Sequence, residues 1–265
     1  MTGKRKILAG LLAALCAGTL TAEEIFRIAK PEDFKQATGI SQENNILIVN
    51  GSKTLFSVQR LELDPAKKYR LSGEFRLRSG SPVKVRLGYA ALDAKNGIIT
   101  PAQVNIVPDT ETEITAPVRR GNSVITVKDA SRWRTEPAIF YAAFNTRDDF
   151  SDLPNRSALK IAPDGIARKG DLWEIKLAQP LKMNMPEGAK VRQHSGGATY
   201  IWNTGVATAG EQWMTRTGLL TGIVRTGNPP RKLWPGTKSV RVILSLSGKS
   251  DSVIEIRNIR VEELK

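Results

Sequence analysis

Five tryptophans give this chain its clearest capacity to bind a ligand: Trp133, Trp173, Trp202, Trp213 and Trp234. The apolar C–H face of a pyranose packs on an aromatic ring, and a tryptophan at a surface supplies a large apolar contact with a polar edge. Trp234 lies in the sequence RKLWPG, where proline restricts the backbone of its neighbours. We therefore expect the ring of Trp234 to be rigid and exposed, although any of these rings could instead belong to a core.

Two further aromatic residues that could bind a sugar precede the loop of Trp234 in the chain. Tyr200 and Trp202 are two residues apart, so on a strand both rings lie on the same face. Basic residues occur near each candidate ring, Arg192 before the pair and Lys232 beside Trp234. The predicted ligand-binding residues are therefore Trp234, Trp202, Tyr200, Arg192 and Lys232, with the rings stacking on sugar and the bases meeting acidic groups.

One loop contains a dense set of oxygen ligands. Asp148, Asp149 and Asp152 lie close to Asn145 and Asn155, and calcium takes six to eight oxygen ligands from flexible loops. The spacing does not match an EF-hand, and short polar side chains in loops commonly cap their own turns. We predict no cofactor, and calcium in this loop is the alternative left open.

The sequence singles out no catalytic group. Cys16 is the only cysteine and His194 the only histidine, which leaves little for thiol, zinc or triad chemistry. Glu74, Glu211 and Glu255 fall on predicted strands, but a glycosidase needs two carboxyl groups roughly 5 to 10 Å apart. Nothing in the sequence selects such a pair, so we predict a protein that is not an enzyme.

The net charge of the chain is +14 at pH 7. Basic residues alternate with apolar ones, as in Lys84-Val85-Arg86-Leu87, which is typical of the solvated face of a sheet. The alternative is attraction to an anionic partner, such as an acidic or sulfated polysaccharide or a membrane surface.

The first residues have the form of a secretory signal peptide. Basic residues at 4–6 precede an apolar run, Ile7 to Leu20, and a small residue, Ala22. We predict cleavage near Ala22 and a secreted, periplasmic or cell-surface protein without disulfides; a retained N-terminal anchor is the alternative. Export argues against nucleic acid as a partner.

The remaining chain has a period of two. In Leu61 to Arg78, two alternating patterns flank a turn at Asp64-Pro65-Ala66, which is typical of paired, half-buried strands. Asn96-Gly97 indicates another turn, and we expect strand over Ile98 to Val107 and over Ala198 to Asn203. A single helical turn is expected, at Pro31 to Lys35.

The pattern changes near Ala116, where shorter strands and a long polar loop begin. We predict a signal peptide (1–22), a discontinuous β-sandwich (23–115 and 198–265) and an inserted small β-subdomain (116–197). Alternation slips at Arg257-Asn258, which indicates a bulge or an edge in the last strand.

Four segments resemble strands of jelly-roll carbohydrate-binding modules, the galactose-binding-like, CBM4/9-type sandwiches. They are LELDPAKKYRLSGEFR (Leu61 to Arg76), QWMT (Gln212 to Thr215), VRVIL (Val240 to Leu244) and the closing strand (Ile254 to Leu264). Such modules often carry acidic residues at the centre of the closing strand, where this chain has Arg257-Asn258. The resemblance implies an all-β, antiparallel jelly-roll sandwich with a β-rich insert.

These observations predict a secreted, non-catalytic carbohydrate-binding protein for an anionic polysaccharide. The alternative is a structural protein of the cell surface that associates with itself through uncovered edge strands.

Overall fold

The computed structural model describes residues 21–136, 138–224 and 230–265. Within these ranges helix is confined to a 3-10 turn at Pro31–Asp33 and one α-helical turn, α1, at Pro101–Val104. No helix there is both long enough and apolar enough to cross a bilayer. The strands are β1 (Ala22–Ile28), β2 (Ile40–Glu43), β3 (Ile46–Asn50), β4 (Lys53–Phe56), β5 (Lys68–Ser79), β6 (Val83–Leu92), β7 (Thr112–Glu113), β8 (Val124–Val127), β9 (Phe140–Phe144), β10 (Leu159–Lys169), β11 (Leu172–Leu177), β12 (Lys190–Ser195), β13 (Val206–Ala209), β14 (Met214–Thr221), β15 (Ser239–Ser247) and β16 (Val253–Leu264).

Two antiparallel sheets form a sandwich, which confirms the predicted all-β class. The larger sheet has the order β14-β5-β16-β3-β2, with β1 beside β16, and the smaller sheet has the order β13-β6-β15-β4. Alternate residues of both sheets meet in one apolar core, for example Leu71 and Phe75 of the larger sheet with Val85 and Val242 of the smaller. The residues between them point outward, so each sheet has one face in solvent.

The period of two in β5 separates a buried face from a partly exposed face, as predicted. Tyr69 and Leu71 are buried on the inner face, while Arg70 and Arg76 lie on the outer face and are partly exposed. The Tyr69 hydroxyl accepts a hydrogen bond of 2.9 Å from the backbone N–H of Asp64, which fixes the turn at Pro65 to the start of the strand.

Six strands form a third sheet with a separate core. The order is β7-β12-β9-β10-β11-β8, and its apolar cluster runs from Val107 to Val191. The division into a discontinuous sandwich and an insert stays a prediction. The predicted signal peptide also stays a prediction, because residues 1–20 lie outside the described ranges.

Two segments differ from the predicted strands. Ile98 to Val107 contains α1 instead of a continuous strand. The N–H of Thr100 donates to Gln103 Oε1 (3.0 Å), its carbonyl oxygen accepts from the N–H of Gln103 (3.0 Å), and Pro101 occupies the first helical position. Ala198 to Asn203 is not a strand, since Ile201 alone makes a β-bridge, to Tyr89. The bulge near Arg257 is confirmed: the register of β16 on β5 shifts between Arg257 and Arg260.

Candidate functional site

Three aromatic side chains form a cluster on the outer side of the smaller sheet. Tyr200 lies edge-to-face with Trp202 and also with Phe56, each pair with ring centroids 5.6 Å apart. All three side chains are partly exposed. We call Phe56, Tyr200 and Trp202 the aromatic surface. Edge-to-face contact holds the rings in fixed orientations, so the surface is preformed.

The backbone of residues 200–202 lies directly against the smaller sheet because Gly88 has no side chain. Tyr89 and Ile201 exchange backbone hydrogen bonds of 2.9 and 2.8 Å. A Cβ atom on Gly88 would lie 2.2 Å from the carbonyl oxygen of Ile201. Gly88 pairs with Ile243 and Ile243 with Phe56, so the same row of the sheet brings Phe56 to Tyr200.

An open groove of about 260 Å³ adjoins the aromatic surface at Phe56. Small and apolar residues of the outer face form its floor and polar side chains stand at its rim; the lining residues are Lys35, Phe56, Ala90, Leu92, Asn96, Ile98 and Arg241. An apolar floor with a few polar groups is the usual composition of a small-molecule site.

Two cations border this groove. Arg241 donates from Nη1 to the carbonyl oxygen of Ser57 (2.6 Å) and to that of Val58, which fixes its guanidinium at the groove. Burial, with a smaller effect of nearby Arg60, lowers the pKa of Arg241 from its ordinary value. Lys35, which also lines the groove, is exposed. A fixed guanidinium together with an exposed ammonium suits contacts to sugar hydroxyls and to carboxylate or sulfate substituents.

The expectation that Trp234 is exposed is wrong. Its side chain is 1% exposed and belongs to the sandwich core. The loop turns inward because Leu233 donates a backbone hydrogen bond to Gly222 (2.9 Å) and accepts one from Val224 (2.9 Å), which holds residues 233–234 against the core. Lys232, on the same loop, is exposed, but it does not lie with the aromatic surface or line its groove.

Arg192 is predicted to meet acidic groups of the ligand, but its side chain is fully buried. Its Nη2 donates to Asp152 Oδ2 (2.6 Å), its Nη1 to the carbonyl oxygen of Arg147 (3.1 Å), and its Nε to His194 Nε2 (3.0 Å). His194 Nδ1 lies 2.9 Å from the carbonyl oxygen of Ala102. Burial is the main reason why the pKa of His194 falls to about 4. These groups fasten β12 to α1 and cannot reach a polysaccharide.

The aspartate loop is held by its own protein contacts. Asp152 also accepts from the backbone N–H of Arg147 (3.1 Å) and from Asn155 Nδ2 (2.9 Å), and Asp148 pairs with Lys190 at 2.6 Å. Among the described residues, no group of three acidic, histidine or cysteine side chains is arranged to hold a metal. That the protein has no cofactor stays a prediction, with calcium in this loop as its alternative.

Of the three carboxylates considered for catalysis, Glu74 and Glu255 lie on the larger sheet, whereas Glu211 is exposed and precedes β14 instead of lying on a strand as predicted. Glu74 accepts from Asn258 Nδ2 (2.9 Å) and Arg257 Nε (2.7 Å), and Glu255 accepts from Arg76. The hydrogen bond from Asn258 is the largest cause of the lowered pKa of Glu74. A catalytic acid needs the opposite shift.

The sequence prediction included Tyr200 and Trp202 but not Phe56, Lys35 or Arg241. Phe56 could have been found from the sequence, because the alternation of Leu55 and Phe56 places an aromatic ring on the solvent face of a strand. Two further tryptophans are structural: Trp133 is buried with its Nε1 donating to the carbonyl oxygen of Thr110 (2.8 Å), and Trp173 packs on the core of the third sheet.

Comparisons with known proteins establish neither a family nor a function for this chain. No protein-family model and no curated protein matches the chain. A solved structure described as "CBM4 structure and function" aligns over 87% of this chain and 76% of its own, with 8% identity and a TM-score of 0.30. The all-β sandwich is thus established from the strands themselves, and the resemblance to a carbohydrate-binding module stays a prediction.

Proposed function

We propose that this protein is a non-catalytic carbohydrate-binding protein that holds a polysaccharide on the outer side of its smaller sheet. The observation that carries the proposal is the aromatic surface, in which Tyr200 contacts both Phe56 and Trp202 edge-to-face and Phe56 lines an open groove. Partly exposed, orientationally fixed rings provide stacking at a low entropic cost.

The charge at the groove supports an anionic polysaccharide within this class. Lys35 and Arg241 border the groove, and the chain has a net charge of +14. Carboxylate or sulfate groups of a chain stacked on the aromatic surface would lie within reach of these cations. We propose, from the predicted signal peptide, that the protein acts after export, as a secreted, periplasmic or cell-surface protein.

Retention on immobilised polysaccharides tests the proposal. A panel of neutral, carboxylated and sulfated polysaccharides is compared at low and physiological salt for the wild type, Trp202→Ala and Trp173→Ala. Trp173 is a matched control, because it is also a half-buried tryptophan but lies in the third sheet. We expect retention on one class that persists at physiological salt and is lost only in Trp202→Ala.

Two outcomes contradict the proposal. Retention on every polyanion that disappears with salt means unspecific charge attraction. Absence of retention together with concentration-dependent assembly favours the alternative, a self-associating surface protein.

A further inference from the structure

The outer face of the larger sheet is built as a ladder of charged residues. Five arginines of β5 and β16 alternate with glutamates across the strands: Arg70, Arg76, Arg78, Arg257 and Arg260 with Glu74, Glu255 and Glu262. Most of these arginines have a carboxylate partner. Arg70 donates to Glu262 (2.8 Å), Arg257 to Glu74 (2.7 Å) and Arg76 to Glu255.

One row of this ladder contains no acid. Strand register aligns Thr217 with Ser72, Ser72 with Arg260, and Arg260 with Arg27. The rows on either side each contain a glutamate. This row therefore places two hydroxyl groups beside a guanidinium that has no carboxylate directly opposite.

Of the ladder arginines, Arg260 has the longest contact to its nearest carboxylate, and among the described residues that contact is with Glu262 alone. Its Nε is shielded from solvent and has no hydrogen-bond partner among the described residues. The nearest carboxylate oxygen, Glu262 Oε2, is 3.4 Å from Nε and already accepts from Arg70 at 2.8 Å. The side chain of Arg260 as a whole is 36% exposed, so solvent reaches it although its Nε is shielded.

A pocket of about 250 Å³ opens at this row. Its lining residues are Arg70, Ser72, Gly73, Glu74, Thr215, Thr217, Asn258 and Arg260. Ser72, Thr215 and Thr217 supply hydroxyl donors, and Arg70 and Arg260 supply guanidinium groups. The carboxylate of Glu74 is engaged by Asn258 and Arg257.

We propose that this pocket, the Arg260 pocket, binds an oxyanion group, a sulfate or carboxylate, with Arg260 as the principal donor. A guanidinium that is only loosely paired, beside hydroxyl donors, matches the geometry of such anions, and charge-assisted hydrogen bonds of this kind are about twice as strong as neutral ones. The pocket lies on the opposite sheet from the aromatic surface, so the proposal does not depend on polysaccharide binding there.

Titration with inorganic sulfate tests this inference. Amide chemical shifts of the full protein are followed while sodium sulfate replaces sodium chloride at constant ionic strength. We expect saturable shifts at Ser72, Thr217 and Arg260. Arg260→Gln should weaken sulfate binding by about tenfold or more, and Thr217→Val should weaken it less.

Arg78→Gln is the matched control. Arg78 lies on the same face but outside the pocket and pairs with Glu43 at 3.0 Å, so this variant removes the same charge and should leave the affinity for sulfate unchanged. Equal loss in Arg78→Gln and Arg260→Gln, or shifts spread over the whole basic surface, would overturn the proposal. So would linear shifts that never saturate.

A second titration distinguishes an oxyanion that is attached to a sugar from a free inorganic ion. A sulfated disaccharide, its unsulfated counterpart and free sulfate are compared in the same titration with Trp202→Ala as the background. Tighter binding of the sulfated disaccharide assigns the pocket to a sugar-borne anion, and equal affinity assigns it to a free ion. Binding of the unsulfated sugar at the same residues would contradict the inference.

Discussion

The guanidinium of Arg192 and the carboxylate of Asp152 form an ion pair of 2.6 Å whose side chains are 0% and 7% exposed. Removal of one member leaves the other charged and desolvated, which typically costs 3–5 kcal/mol. We therefore expect Asp152→Ala to lower the free energy of unfolding by roughly 3 kcal/mol or more, measured by urea denaturation. Asp148→Ala is the control, because Asp148 is 77% exposed and its loss should have no measurable effect. Equal destabilisation by both variants would show that the buried ion pair contributes no more to stability than the exposed Asp148.

His194 makes stability depend on pH. Its pKa is lowered by burial to about 4 in the folded protein, whereas an unfolded histidine titrates near 6.5. As pH falls below about 6.5, the unfolded state takes up a proton that the folded state binds only near pH 4, so the free energy of unfolding decreases. This histidine should contribute a loss of roughly 2 kcal/mol between about pH 7 and about pH 5.

His194→Gln isolates that contribution. A glutamine can accept from Arg192 and donate to the Ala102 carbonyl, but it does not titrate. Urea denaturation of the variant should show a shallower dependence on pH than the wild type across this range. Parallel curves would mean that His194 is protonated as readily in the folded protein as in the unfolded chain.

Gly88 is required at the aromatic surface for steric reasons. A Cβ atom at this position would lie 2.2 Å from the carbonyl oxygen of Ile201, so Gly88→Ala must displace residues 200–202. We expect a loss of stability of about 1–3 kcal/mol together with weaker polysaccharide retention. Gly210→Ala is the control, since no atom lies within 4 Å of a Cβ placed there. Unchanged retention by Gly88→Ala would separate ligand binding from the position of Tyr200 and Trp202.

Trp234 should behave as a core residue. Truncating a fully buried tryptophan typically costs 3–5 kcal/mol, so Trp234→Ala should lower the thermal midpoint strongly. Trp202→Ala should lower it less, because Trp202 is partly exposed. If Trp234→Ala remained as stable as the wild type while losing polysaccharide binding, the loop would have to present the ring outward, against the structure.

The sequence predicts the sandwich well because sheet faces are a local property. Burial of Leu71 and exposure of Arg70 follow directly from alternation, and the bulge at Arg257 appears as a slip of the same alternation. Local alternation does not predict the burial of Trp234, which lies in a loop. Neighbouring prolines restrict the backbone of the loop, but the direction in which the ring points is decided by the distant residues that it packs against.

The aromatic surface combines local and non-local information. Tyr200 and Trp202 do come together, although they lie on a segment held by one β-bridge rather than on the predicted strand. Their contact with Phe56 depends on strand pairing over a separation of well over a hundred residues, through Gly88 and Ile243, which no local pattern specifies. Arg241 is brought to the groove by the same long-range pairing, whereas Lys35 is held there by the hydrogen bond of 2.9 Å from its backbone N–H to the carbonyl oxygen of Phe56.

Calorimetric titration of an oligosaccharide from the best-retained polysaccharide tests the central claim most directly. It is performed at physiological salt on the wild type, Trp202→Ala and Trp173→Ala. A stacked ring at the centre of a site commonly contributes 2 kcal/mol or more, so Trp202→Ala should weaken binding by about thirtyfold while Trp173→Ala stays close to the wild type. Equal affinities for all three proteins, or no heat of binding with any oligosaccharide, would contradict the assignment of the aromatic surface as a sugar site.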